Sequence, residues 1–163
     1  MTAARLLAPA FRFTVTFAPS PTADPADRAG ASLAGGFTEV TGLDVEMDVR
    51  ETTQGGRNNG VIQRAGRAKV SRLVLRRGMM FEPGGTVEAS FWDWLSDSVS
   101  GVLPLRRYDV TVQVMSTGTA VATWAARRAL PAKIVGPQLN ARTGEILIEE
   151  LQLAHEGLRL VAR

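Results

Sequence analysis

The chain has 163 residues, no cysteine and one histidine. That length predicts one domain able to bury roughly two-thirds of its unfolded surface without covalent staples. The missing thiols exclude disulfides, thiolate metal sites and cysteine nucleophiles. No apolar run approaches the ~20 residues that a membrane-spanning helix needs, so no integral membrane association is expected. Nineteen basic against sixteen acidic residues give a formal net charge of +3, too small an excess to point to nucleic acid. Lys69 and Lys133 are the only lysines. The arginine bias suits interfaces, because a guanidinium pairs carboxylates bidentately and stacks on flat surfaces; GC-rich codon usage produces the same bias. Residues 1–11 (MTAARLLAPAF) are too short for a secretory leader with its cleavage site, and the chain is expected to be cytoplasmic when made.

Residues 11–17 (FRFTVTF) alternate, with Phe11, Phe13, Val15 and Phe17 on one face, as in a strand with one buried side. Residues 18–36 are rich in Pro, Ala, Gly and Asp and predict a mobile insertion loop. Residues 37–51 (FTEVTGLDVEMDVRE) alternate again, with Leu43, Val45, Met47 and Val49 aligned and Val40 out of phase. A bulge or bend at Gly42 would restore the inward face. Residues 52–60 (TTQGGRNNG) hold no apolar side chain and many that tolerate positive φ. They predict the tip of an extended hairpin-like arm over 51–67. The return strand keeps its alternation at Leu73 and Leu75, although Val70 and Val74 blur it.

After EPGG, residues 86–101 (TVEASFWDWLSDSVSG) place Phe91, Trp94, Leu95 and Val99 at helical spacing. Thr86 reads as the N-cap, Glu88 favours the positive end of the dipole, and Gly101 fits just past the C-terminus. Tyr108, Val110, Val112 and Val114 share one face of the next strand. After the STGT turn, Ala122, Trp124 and Ala126 alternate in another. Residues 131–144 (PAKIVGPQLNARTG) read as an irregular connection. In the last strand (EILIEELQLAHEGL), Leu151 and Leu153 lie three and five on from Ile148, predicting a bulge at Glu149–Glu150. Six or seven strands and one helix make a mainly β fold with one helix (α+β). The expected architecture is an antiparallel β-sandwich or partial barrel with the helix packed on it, in a single domain over 1–163.

His155 beside Glu156 resembles a general base with its orienting carboxylate. That chemistry needs a nucleophile, or a metal with a second imidazole or thiolate, and the chain has neither a second histidine, a cysteine nor a GxSxG elbow. No catalytic residue, metal or cofactor is therefore expected. His155 lies in register with Leu151 and Leu153 and reads as a buried, hydrogen-bonded histidine ending a strand. GGRNNG is not followed by a helix, so it lacks the geometry of a phosphate cradle and reads as a solvated tip. Arginine pairs at 76–77, 106–107 and 127–128 each stand at a strand end, as solvated rim charges or as inter-subunit salt bridges. In FWDW, Phe91, Trp94 and Leu95 share a core face, whereas Trp92 lies off it as a candidate contact residue. A single-stranded nucleic-acid-binding β-barrel module would need exposed aromatics interleaved with arginine; Phe11, Phe13 and Phe17 instead share a face that reads as buried.

The order of short motifs is more specific than any one of them. FTEVTGL follows the first strand, RG follows the hairpin return, FWDWLSD opens the helix and LRRYDVTV the next strand. W(x)6PAKIVGPQLNA, from Trp124 to Ala141, then precedes IEELQLAHEGL. This order closely resembles the tail-tube protein family of contractile phage tails and extracellular contractile injection systems. Typical forms there are GFxEVxGL, an LWDW-like helix start, RRxxxV, WPxKWxGPxLNA and ELxHEG. The match covers roughly Phe11 to Val161. It departs in a longer insertion at 18–34 and in Leu130-Pro131 where the family has Trp-Pro.

The resemblance implies a structural subunit of an inner tube. Homo-hexameric rings would join their inner sheets into a ring-shaped β-barrel and stack within a contractile sheath. The tube would meet baseplate or tube-initiator proteins, sit inside an assembled phage tail or injection particle, and conduct DNA or protein effector cargo through the target envelope. Ring stacking would fall to the arm tip, Gln54, Gly55, Gly56, Arg57, Asn58 and Asn59. Subunit contacts would involve Trp92, Arg106, Arg107, Arg127 and Arg128, and His155, Trp94 and Trp124 would be structural. The long insertion raises the alternative of a specialised initiator or adaptor at the baseplate end.

Overall fold

The computed structural model describes residues 12–21, 36–56, 59–81, 84–142 and 144–161. Phe11, most of the 18–36 segment, Arg57 and Asn58 lie outside the described residues. Within them the chain runs β1 (Phe13–Pro19), β2 (Phe37–Thr41), β3 (Val45–Thr52), β4 (Ile62–Val70), β5 (Leu73–Gly78), α1 (Ser90–Ser100), β6 (Tyr108–Ser116), β7 (Thr119–Val135), β8 (Ile148–Ala154) and β9 (Gly157–Val161). Every pairing is antiparallel. The fold is thus mainly β with one helix, and has nine described strands where six or seven were expected.

Seven strands form one sheet in the order β1-β6-β7-β8-β5-β2, with β9 also paired to β7. The sheet folds over so that its halves share one core. Val15, Phe17, Tyr108, Val110, Val112, Ala126 and Leu158 come from one half, and Leu73, Leu75, Leu151 and Leu153 from the other. The two ends of the path, β1 and β2, approach through Phe17 and Phe37, whose ring centroids lie 6.2 Å apart. No ladder joins them among the described residues, so the barrel is partial. Helix α1 fills this seam. Phe91 lies 5.7 Å from Phe17 and 6.2 Å from Phe37, and Trp94 packs edge-on to Tyr108 at 4.8 Å, a geometry favoured by ring quadrupoles.

Long-range pairing overrides four local readings. The helix starts at Ser90, not Thr86, because Phe81 and Val87 form a β-bridge and the Glu88 N–H donates to the Met80 carbonyl at 3.0 Å. Its N-cap, Ala89, makes no side-chain capping bond, and Val99 is 77% exposed instead of inward. The C-terminus ends at Gly101 with φ 73°, the left-handed stop that glycine favours. Residues 131–135, expected in an irregular connection, continue β7 and pair with β8; the register shift lies between Pro131 and Lys133. A bulge suits proline there, since no ladder donor is required of it. β8 itself pairs regularly with β5 through residues 148–153, so the bulge expected at Glu149–Glu150 is absent. Ile148 faces outward, and Glu149 takes the inward position.

β3 and β4 form a separate two-stranded sheet. The chain enters it beside Gly42, at φ +83°, where a Cβ would sit 2.0 Å from the Arg72 carbonyl oxygen. Only glycine allows this close passage of the incoming and outgoing strands. The expected inward face of Val45, Met47 and Val49 therefore leaves the body altogether.

Candidate functional site

The β3–β4 hairpin is amphipathic. Cross-strand partners share a face, and the register pairs Val45 with Val70, Met47 with Ala68 and Val49 with Ala65. The shift between Met47 and Val49 preserves this grouping by setting an extra residue into β4 opposite Asp48. Gly66 sits in that bulge; a Cβ there would lie 2.5 Å from the Asp48 carbonyl oxygen. The other face is charged. Glu46 pairs with Lys69 and Arg50 with Arg64, and Lys69 reaches Asp48 at 2.7 Å. Val45, Met47 and Val49 are 54%, 52% and 54% exposed. Towards the tip the hairpin turns polar, with Gln63 donating to Glu51 at 2.9 Å. Gln54, Gly55, Gly56 and Asn59 are exposed in the turn. At the root of the arm, Phe13, Val40, Leu43, Val112, Val114 and Trp124 line an apolar recess of about 210 Å³.

A charged cluster lies on the inner side of the seam. The inward alternation Leu73, Leu75 continues to Arg77 on β5, and Leu153, Leu151 to Glu149 on β8, and these two residues are direct cross-strand partners. Arg77 is 1% exposed. Its Nε donates to Glu149 at 2.5 Å, its Nη1 to Glu88 at 3.2 Å, and its guanidinium stacks 3.9 Å from the Phe91 ring centroid. Trp92 Nε1 donates to the second Glu149 oxygen at 3.1 Å. The cluster therefore pins the start of α1 to the sheet. Trp92 lies off the core face, and the edge of its ring approaches Gly136. The sequence signal for this cluster was available, as two opposite charges at the next inward positions of two alternating strands. A rule that places apolar residues inward passes over it. On the outer face Arg76 bridges Glu39 and Glu150, each at 2.9 Å. Hydrogen bonds from Gln152 and then Arg76 hold the Glu150 carboxyl below its ordinary value.

Arg107 and Arg128 meet Glu156 at a corner where β7 and the β8–β9 connection come together. Arg128 has φ +52°, and its N–H donates to Asp109 at 2.9 Å, which offsets part of the cost of a left-handed non-glycine residue. Arg107 donates to the Arg128 carbonyl at 3.3 Å and to Glu156 at 3.0 Å. Arg128 Nε reaches the other Glu156 oxygen at 2.9 Å, and the Glu156 N–H closes onto the Arg127 carbonyl. Arg107 and Arg128 thus have a carboxylate partner within the subunit. Arg106 lies 3.8 Å from Asp97, and Arg127 is exposed with no ion pair among the described residues. Trp94 is buried and donates to the Arg106 carbonyl at 3.1 Å; Trp124 packs against the core half-buried. His155 is half-buried, and neither ring nitrogen finds a hydrogen-bond partner among the described residues. This corrects the expectation of a hydrogen-bonded histidine: Glu156, beside it, bonds the corner arginines.

A family model described as T4-like virus tail tube protein gp19 matches residues 9–159, and the chain belongs to that tail tube family. Among solved structures, it is similar to a chain of the cryo-EM structure of the anti-feeding prophage (AFP) baseplate, 6-fold symmetrised. Identity is 22% and the TM-score 0.77, over 98% of this chain and 98% of that one. It is similar as well to a chain of the PVC sheath–tube complex of an extracellular contractile injection system in the extended state, at 23% identity and TM-score 0.73, covering 96% and 93%. A chain of the AFP tube terminating cap gives 20% identity and TM-score 0.75, covering 100% and 96%. At these identities the likeness is one of fold. No curated protein gives a significant match.

Proposed function

We propose that the chain is a subunit of the inner tube of a contractile injection machine or phage tail, assembled as stacked hexameric rings around a cargo of DNA or protein effector. The observation that carries this reading is the uncovered apolar face of the β3–β4 hairpin. A two-stranded hairpin cannot bury its own face, and a contiguous apolar surface of this kind marks a contact with another chain. The recess at the arm's root supports the same reading, because its apolar lining includes Leu43, two residues before β3 begins. On this reading the hairpin stem lies against a neighbouring copy and the polar tip, Gln54 to Asn59, reaches the next ring. Arg106, Arg127 and Trp92 contribute to subunit contacts, while Arg107 and Arg128 hold the corner that shapes the contact edge. Sheath protein outside and baseplate or initiator proteins at one end complete the set of partners.

The test is electron microscopy and light scattering of the purified full chain, alone and mixed with its baseplate layer. Rings or tubes are expected, and their loss in Met47→Ser/Val49→Ser at unchanged thermal stability. A chain that stays monomeric at high concentration under both conditions overturns the proposal. The length of the 18–36 segment favours a second reading, a specialised initiator layer. In an assembled particle, copies in every layer establish the bulk tube, and a single ring at the baseplate end establishes the initiator.

A further inference from the structure

The hairpin tip carries a chemistry that assembly does not use. The chain holds three asparagines, Asn58, Asn59 and Asn140, and only Asn59 is followed by glycine. Asn59 and Gly60 are both exposed in the connection between β3 and β4. A Cβ built on Gly60 would meet no atom within 4 Å, so the space around this peptide bond is open. The Asn59 side chain makes no hydrogen bond among the described residues. Asn140 differs on each point: its Oδ1 accepts the Arg142 N–H at 3.0 Å, and it is followed by Ala141.

The structure assigns Asn59–Gly60 as a site of spontaneous deamidation that plants a carboxylate at the tip of the arm. The Gly60 backbone nitrogen, having lost its proton to solvent hydroxide, attacks the Asn59 side-chain carbonyl carbon. A C–N bond forms, the bond to the side-chain amide nitrogen breaks, and ammonia leaves carrying a proton from water. The five-membered succinimide then takes up one water at either carbonyl and opens to aspartate or isoaspartate. Water and hydroxide are the only co-reactants. Asparagine is among the labile residues. Glycine is the follower that least obstructs ring closure, since no Cβ crowds the attacking nitrogen. Each event lowers the formal net charge of +3 by one. The isoaspartate product also adds a methylene to the backbone of the turn.

This inference stands on the subunit alone and does not depend on the tube reading. The full chain, held below the concentration at which it assembles, is incubated in mildly alkaline buffer and mapped by peptide mass spectrometry. A mass gain of about one dalton at Asn59, resolved into two isomers, is expected, with Asn140 unchanged. The rate in the folded chain is expected within about threefold of that in denaturant, as for a segment whose local opening costs little. Gly60→Ala, which the open space tolerates, is expected to slow the reaction about tenfold. An Asn59 that stays intact in the folded chain while the denatured chain reacts overturns the assignment. So does an Asn140 that reacts as fast, or a Gly60→Ala chain that reacts at the original rate.

Discussion

Leu73, Leu75, Leu151 and Leu153 in the body, and Val45, Met47 and Val49 in the arm, all come from alternating strands, yet the first four are sealed and the last three stand open. The difference lies in what each strand pair meets. β5 and β8 belong to a sheet that folds over and receives α1 across its seam, whereas among the described residues β3 and β4 pair only with each other. Alternation thus fixes which side chains share a face, and topology decides whether anything in the same chain covers it.

The sharpest way to break this contrast is to attack the ion pair that the body encloses, Arg77 with Glu149. Glu149→Ala leaves Arg77 without its main partner, and a loss of about 3–5 kcal/mol in denaturant unfolding is expected. The double variant Arg77→Met/Glu149→Leu, which removes both charges, is expected to recover most of that loss. A single variant within about 0.5 kcal/mol of the parent would mean that the pair is hydrated and the seam open.

Leu153→Ala probes the same body through packing alone and is expected to cost about 2–5 kcal/mol. Val49→Ala, a similar truncation in the arm, is expected to cost less than about 0.5 kcal/mol in the unassembled chain. Equal costs would erase the distinction between the two regions. Gly66→Ala acts within the arm. Its Cβ would collide with the Asp48 carbonyl, and such crowding costs about 1–3 kcal/mol. Faster hydrogen exchange in β3 and β4 with an unchanged body is the expected pattern. Shortening residues 52–60 is expected to leave the melting temperature nearly unchanged while tube length falls.

The smallest effect concerns pH. The Glu150 carboxyl titrates below its ordinary value, so its contribution is present above the unfolded value and is lost as pH falls through the lower folded one. Since Arg76 and Glu150 lie near the surface, that loss is small and shrinks further with salt. An NMR titration placing Glu150 at or above its ordinary value would remove the bridge to Arg76 from consideration.

Much of the body was legible in the sequence because its strands alternate cleanly: Val15 with Phe17, and Tyr108 with Val110 and Val112, bury as their spacing predicts. The family was legible too, through the order of its motifs. Failures arose where a distant residue overrides a local preference. Glu149 is admitted inward only because Arg77 stands opposite it, 72 positions earlier in the chain. Thr86 is a good N-cap by type, yet the isolated bridge between Phe81 and Val87 keeps Val87 out of the helix past the expected start. Pro131 argues against a strand interior, and the chain tolerates it at a register shift. For the arm, the alternation of Val45, Met47 and Val49 defines a shared face, but not an inward one. What covers that face is not encoded in the spacing.

β7 has a mechanical consequence. Its 17 residues run from the pairing with β6 and β9 through the bend at Arg128 into the pairing with β8. The two halves of the body are therefore joined by an unbroken backbone as well as by side-chain packing. Hydrogen bonds in an antiparallel ladder lie across the strand direction, so a pull along β7 loads them side by side in shear. Separating the halves along β7 requires many of those bonds to fail together.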